Sequence, residues 1–230
     1  MQSTESHSEL LSETALTDGT GSRLIMAGAA PDTGNMGVSA LCYATVTALA
    51  ARLPRASMTV LDFGRGVRHE QVGVRGGEVK ISRCGAKHSR RLYSPDTLWN
   101  IRLSARLGGL WNPCARRLLA ADAVLDISGG DSFTDLYGQH RFDAVAYSKL
   151  IAIENGVPLI LLPQTYGPFR SGGTRRVAAE IVRRSVLAVA RDARSFETLR
   201  ELAGGAFDPE RHISGVDVAF LLEAREPRGL

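Results

Sequence analysis

The chain has 230 residues, 44% of them hydrophobic and 23% charged, with a formal net charge of +4. That balance fits a globular protein with a sizeable core and excludes an intrinsically disordered chain. No apolar run reaches the roughly 18 residues a membrane-spanning helix needs, and Cys42, Cys84 and Cys114 form no CxxC pair, which argues against a disulfide framework or a zinc site.

Residues 1–22 contain Glu5, Glu9, Glu13 and Asp18 and no Lys or Arg. They are rich in Ser and Thr and show no sustained period, so they read as a disordered acidic tail. They lack the basic start and long apolar core of a signal peptide, so the expected location is cytoplasmic, with the inner face of a membrane as an alternative. Without them the remainder is basic, which suggests anionic ligands such as phosphates, acidic sugars or lipid head groups. Aromatic residues make up 6% and are not interleaved with the basic ones, which argues against nucleic acid.

Arg23 to Gly28 reads as a buried strand running into a turn-rich loop, Ala29 to Gly37. A helix should follow, with Leu41, Ala44, Thr45, Ala48 and Leu49 on one face, ending before Pro54. Met58 to Phe63 is a second strand. Gly64 to Arg91, with many glycines and basic residues, reads as mostly loop around a short strand at Val79-Lys80-Ile81. In it the run Lys87-His88-Ser89-Arg90-Arg91 suits either a solvated face or an anionic ligand. Pro95 to Leu110 and Trp111 to Ala121 read as helices, with Trp99 and Trp111 as packing residues.

Ala123 to Ile127 is an apolar run that stops at Gly129-Gly130 and opens into Asp131-Ser132-Phe133-Thr134-Asp135-Leu136-Tyr137-Gly138. This pattern predicts a parallel strand feeding a functional loop and then a helix, Arg141 to Asn155. Pro158 to Leu162 is another continuous apolar strand, leading into Pro163-Gln164-Thr165-Tyr166-Gly167-Pro168-Phe169. A basic helix, Thr174 to Arg184, a strand, Val186 to Ala190, and a helix after Arg191-Asp192-Ala193-Arg194-Ser195 complete the repeat. His212 to Phe220 reads as a short strand and exit loop. The predicted fold class is α/β: one Rossmann-like, mostly parallel sheet over residues 23–222 with helices on both faces, and an exit segment over 223–230. The polar loops all follow strands, where ligands collect in open α/β sheets.

Four motifs in this order, Gly34-Asn35-Met36-Gly37, Ser128 to Gly138, Leu162 to Phe169 and Arg191 to Ser195, resemble the polysaccharide pyruvyl transferase family. The resemblance implies transfer of a pyruvyl group from phosphoenolpyruvate onto a sugar as a cyclic ketal, in cell-surface polysaccharide biosynthesis. It implies half of a GT-B-type fold, with a second domain expected beyond Leu230 or on a partner chain, and a sugar or lipid-linked oligosaccharide acceptor. A homo-oligomer is a further possibility. Val38 stands where the family often has Asp or Glu.

Ketal formation needs an acid, a base and cations for the donor's carboxylate and phosphate. Asp131 and Asp135 are the acid/base candidates, sharing a face if their segment is helical. Gly34, Asn35, Gly37, Gly129, Gly130, Ser132, Gln164, Tyr166 and Arg191 are the candidate substrate-binding residues, Arg191 as a bidentate clamp. His140 reads as incidental. No metal and no cofactor beyond the donor phosphoenolpyruvate is expected. The alternatives are a non-catalytic half-domain needing a partner chain and a GT-B-like glycosyltransferase using a nucleotide sugar.

Overall fold

The computed structural model describes residues 21–74, 77–89, 91 and 93–222. Nearly all of the acidic tail, the exit segment 223–230 and Arg90 lie outside the described residues. Among the described residues eight strands form one sheet: β1 (Arg23–Ala27), β2 (Ser57–Asp62), β3 (Val67–Val74), β4 (Gly77–Gly85), β5 (Ala123–Asp126), β6 (Leu159–Gln164), β7 (Leu187–Ala190) and β8 (His212–Ser214). Their order across the sheet is β3-β4-β2-β1-β5-β6-β7-β8. Every neighbouring pair is parallel except β3 with β4.

Among the described residues six α-helices connect them: α1 (Met36–Arg52), α2 (Leu98–Arg106), α3 (Pro113–Leu119), α4 (Gln139–Glu154), α5 (Gly172–Arg184) and α6 (Ala193–Ala203). The expected mostly parallel α/β architecture is therefore the observed one. Two apolar clusters cover the sheet. One packs Ile25, Val124, Leu159 and Leu161 with residues of α2 to α6. The other packs Met26, Val60, Leu125 and Ile127 with Leu41, Cys42 and Val46 of α1. Alternate residues of β1 and β5 thus fall in different clusters, the period-2 signature of strands buried on both faces.

Local chemistry starts the helices where the chain turns back. Asn35, Thr97, Asn112, Ser171 and Asp192 each accept backbone N–H bonds as N-caps. Pro113 occupies the first turn of α3, where its missing N–H costs nothing.

Residues 64–91 are not mostly loop. They build the antiparallel pair β3 and β4, in register from Val67 with Cys84 to Val74 with Gly77. The strands escaped the sequence because β3 is an edge strand with charged and polar side chains, and only Val72 on it is buried. Trp99 and Trp111 are 39% and 45% exposed rather than packed, with Trp111 Nε1 donating to Asn100 Oδ1 at 3.0 Å.

Candidate active site

In the parallel part of the sheet, chain order runs outward in both directions from the β1–β5 pair. This is the topological switch point, where the connections leave to opposite sides and open a crevice at the strand ends. The turns after β1 and β5 meet there backbone to backbone. Gly28, at φ +74°, permits the approach, since a Cβ on it would come within 2.5 Å of Ser128 N. Ser128 itself takes a left-handed conformation, φ +48°. Its N–H and hydroxyl both donate to Asp126 Oδ1, at 2.9 and 2.8 Å, which holds the turn in a conformation that non-glycine residues rarely adopt.

Beneath Ser128 lies a buried ion pair absent from the expectations. Lys149 Nζ sits 2.8 Å from Asp126 Oδ1 and also donates to Val145 O at 2.8 Å. Both side chains are fully buried. Burial pushes the Lys149 pKa down, with Asp126 opposing it. The sequence signals were an Asp inside an apolar strand and a Lys on the apolar face of α4, each readable only when paired.

Over the crevice opens a cavity of about 740 Å³. Its lining includes Gly28, Asp32, Asn35, Asp62, His88, Ser128, Gly129, His140 and Arg141. Asp62 is buried and accepts from Arg83 Nε at 2.6 Å and from Arg68. Asp32 accepts the Phe63 N–H. His88 and His140, far apart in sequence, bring their ring centroids within 4.8 Å. Burial lowers the His88 pKa, the neighbouring His140 adds to the shift, and Asp143 opposes it.

The loop between β5 and α4, residues 127–138, is folded onto its neighbour rather than helical. Phe133 plugs it into the core, fully buried against Phe142, Tyr166 and Phe169. A side chain of that kind contributes about 1.5–3 kcal/mol when buried. Thr165 N donates to Gly130 O and Gly167 N to Phe133 O, which tie the loops after β5 and β6 together. Asp135 completes the join: it accepts from the N–H groups of Arg170 and Ser171 and from the Thr174 hydroxyl. Burial works against its charge, but the bonds from Ser171, Thr174 and Arg170 win and lower its pKa.

Asp131 is not on a common helical face with Asp135. Its carboxylate is exposed and accepts the Tyr137 hydroxyl at 3.0 Å, and this bond raises the Tyr137 pKa. Asp131, Ser132 and Asp135 all lie outside the cavity lining, although Ser132 Oγ is 3.4 Å from Arg141 Nη2, which lines it.

The other candidates divide by position. Asn35 and Gly129 line the cavity, and Asn35 also caps α1 by accepting from Gly37 and Val38. Gly34 and Gly37 flank it in the same exposed turn. Gln164 and Tyr166 are buried outside the cavity lining, and both polar atoms of the Gln164 amide and the Tyr166 hydroxyl lack hydrogen-bond partners. Arg191 Nη1 pairs with Asp217 at 2.6 Å and packs over Gly130, where a Cβ would meet it at 2.9 Å. Among the described residues no group of three or more His, Cys, Asp or Glu could hold a metal ion, and no helix is long and apolar enough to cross a membrane.

Sheet, switch point and cavity define a Rossmann-like α/β fold with a cavity at the strand ends, where ligands collect in folds of this class. The chain belongs to the polysaccharide pyruvyl transferase family, whose family model matches residues 35–228. That span covers the α1 cap, the loops after β5, β6 and β7, and most of the cavity lining, but not the earlier residues of the loop after β1 that line it. A search of curated proteins finds no match.

Proposed function

We propose that the protein transfers a pyruvyl group from phosphoenolpyruvate to a sugar, closing a cyclic ketal across two hydroxyls and releasing phosphate. The acceptor on this reading is a sugar or lipid-linked oligosaccharide destined for a cell-surface polysaccharide. The observation that carries it is the cavity of about 740 Å³ over the switch point, in a chain of this family. Its volume falls within the range of small-molecule sites.

In the reaction, one sugar hydroxyl adds to the donor's C2 as the methylene carbon takes a proton. The second hydroxyl then displaces phosphate from the same carbon. A base must accept the hydroxyl proton, and donors must hold the negative charge. Asp131 is our candidate for the base: its carboxylate is exposed next to Ser132, which reaches the cavity-lining Arg141, and the Tyr137 hydroxyl orients it. Asp135, engaged by three donor groups, serves in this reading as the clamp between loops.

The test is phosphate release from phosphoenolpyruvate with a panel of methyl glycosides carrying two suitably placed free hydroxyls. Acceptor-dependent release with a pyruvylated product supports the reading. Tight binding of nucleotide sugars, with no binding of phosphoenolpyruvate, would replace it with glycosyl transfer.

A further inference from the structure

One wall of the cavity brings together two cationic side chains and two imidazoles. Lys87 and His88 come from the segment between β4 and α2, and His140 and Arg141 from the first turn of α4. Among the described residues none of the four enters an ion pair. His88 Nδ1 is buried without a hydrogen-bond partner. Arg141 makes one long side-chain bond, to Ser132 Oγ at 3.4 Å. Asp143, one turn further along α4, accepts from Gln139 Nε2 at 2.6 Å.

The start of α4 adds to this positive character. Gly138 stands at its N-cap without a side-chain bond, and no acidic residue lies in its first turn. Free N–H groups and the positive end of the helix dipole therefore meet basic side chains where acidic ones are favoured. The carboxylates that line the cavity are already engaged, Asp62 by Arg68 and Arg83 and Asp32 by the Phe63 N–H. Burial and the neighbouring His140 disfavour the charged form of His88 until a counter-charge arrives.

We infer that the wall formed by Lys87, His88, His140 and Arg141 binds the phosphoryl group of a phosphate ester held in the cavity. A lone carboxylate is satisfied by one guanidinium fork. Donors converging from two separate segments suit a tetrahedral dianion, which spreads its charge over three oxygens. The identity of the ester rests on the pyruvyl-transfer reading. Phosphoenolpyruvate is one source of the phosphoryl group and a phosphorylated acceptor is the other.

The experiment is titration calorimetry on the full chain with two probes, phosphoenolpyruvate and inorganic pyrophosphate, each against the parent protein, Lys87→Ala and Arg141→Ala. Both side chains are exposed, so the variants should keep the parent's circular dichroism. Arg175→Ala, on α5 and outside the cavity lining, controls for loss of one positive charge. Each wall variant is expected to weaken at least one probe roughly tenfold, the value of a hydrogen bond to a charged group, while the control changes neither. A loss confined to phosphoenolpyruvate assigns the wall to the donor. One confined to pyrophosphate assigns it to a phosphorylated acceptor, and loss of both to any phosphoryl group that enters. Unchanged affinities in both wall variants, or no binding of either probe to the parent, overturns the inference. The pyruvyl-transfer reading falls on different data, the absence of acceptor-dependent phosphate release, and the titrations remain decisive for the wall.

Discussion

Lys149 Nζ lies 2.8 Å from Asp126 Oδ1, and neither side chain reaches solvent. The pair joins the middle of α4 to the end of β5, directly beneath the turn that lines the cavity. Removing one partner leaves an uncompensated buried charge, which costs about 3–5 kcal/mol. Lys149→Met and Asp126→Leu should each lower the urea midpoint steeply. The double variant should recover only part of the loss: the buried charges are gone, but the Ser128 N–H and hydroxyl lose their acceptor. Equal midpoints for the singles and the parent would remove the pair's structural role.

Asp126 also fixes Ser128, and Ser128→Gly separates the two parts of that arrangement. Glycine accepts the left-handed backbone at 128 without strain but loses the hydroxyl bond to Asp126. The two effects oppose, so stability should change by less than about 1 kcal/mol. Ser128→Val keeps neither the hydroxyl nor a tolerable conformation and should destabilise by about 2 kcal/mol or more. Thermal denaturation of the two variants side by side checks the order.

Asp135 links the loop after β5 to the N-terminus of α5. Its folded pKa lies below the ordinary carboxylate value, so the native state holds fewer protons than the unfolded state in the interval between the two. The stability it contributes is therefore complete above about pH 4 and is lost as pH falls through the folded pKa. Asp135→Ala should cost about 1 kcal/mol at neutral pH, solvent screening having reduced the value of these bonds. It should also flatten the stability profile in the acid limb. Urea titrations between about pH 2 and 6 measure both effects.

His88 has the opposite kind of group and the same direction of shift. With its folded pKa below the unfolded one, the native state again binds fewer protons, so stability rises with pH across that window. Acidification below about pH 6.5, the unperturbed histidine value, should erode stability. In His140→Gln the nearby charge is gone, and the His88 imidazole should titrate at higher pH. Two-dimensional NMR of the imidazole resonances gives both pKa values directly.

Asp131 is the residue on which the proposed chemistry turns. Asp131→Asn should reduce pyruvyl transfer about 100-fold or more, the usual loss for a general base. Tyr137→Phe removes the orienting bond but leaves the carboxylate, so a loss nearer tenfold is expected. Initial rates of acceptor-dependent phosphate release compare them. Full activity in Asp131→Asn would exclude it as the base.

Periodicity and turn chemistry carried most of the architecture into the sequence itself. Largely apolar runs such as Val124–Ile127, broken only by Asp126, and the continuous Leu159–Leu162 announced strands covered on both faces. Asn35 and the Gly129-Gly130 pair marked the turns that leave them. These signals are local, because a strand's neighbours along the chain decide its pattern. The β3–β4 pair was illegible for the converse reason: an edge strand buries little, so its pattern is set by solvent and charge.

The site divides along the same line. Short-range constraints already marked the loops after β1 and β5 as places where backbone comes close. Tertiary packing alone decided which side chains face the cavity. It set His88 beside His140 and Lys149 beneath Asp126, and it spent Asp135 on a loop clamp and paired Arg191 with Asp217. Side-chain period and capping act over a few residues. Charge pairing and cavity lining depend on distances across the sheet, which exist only once the chain has folded.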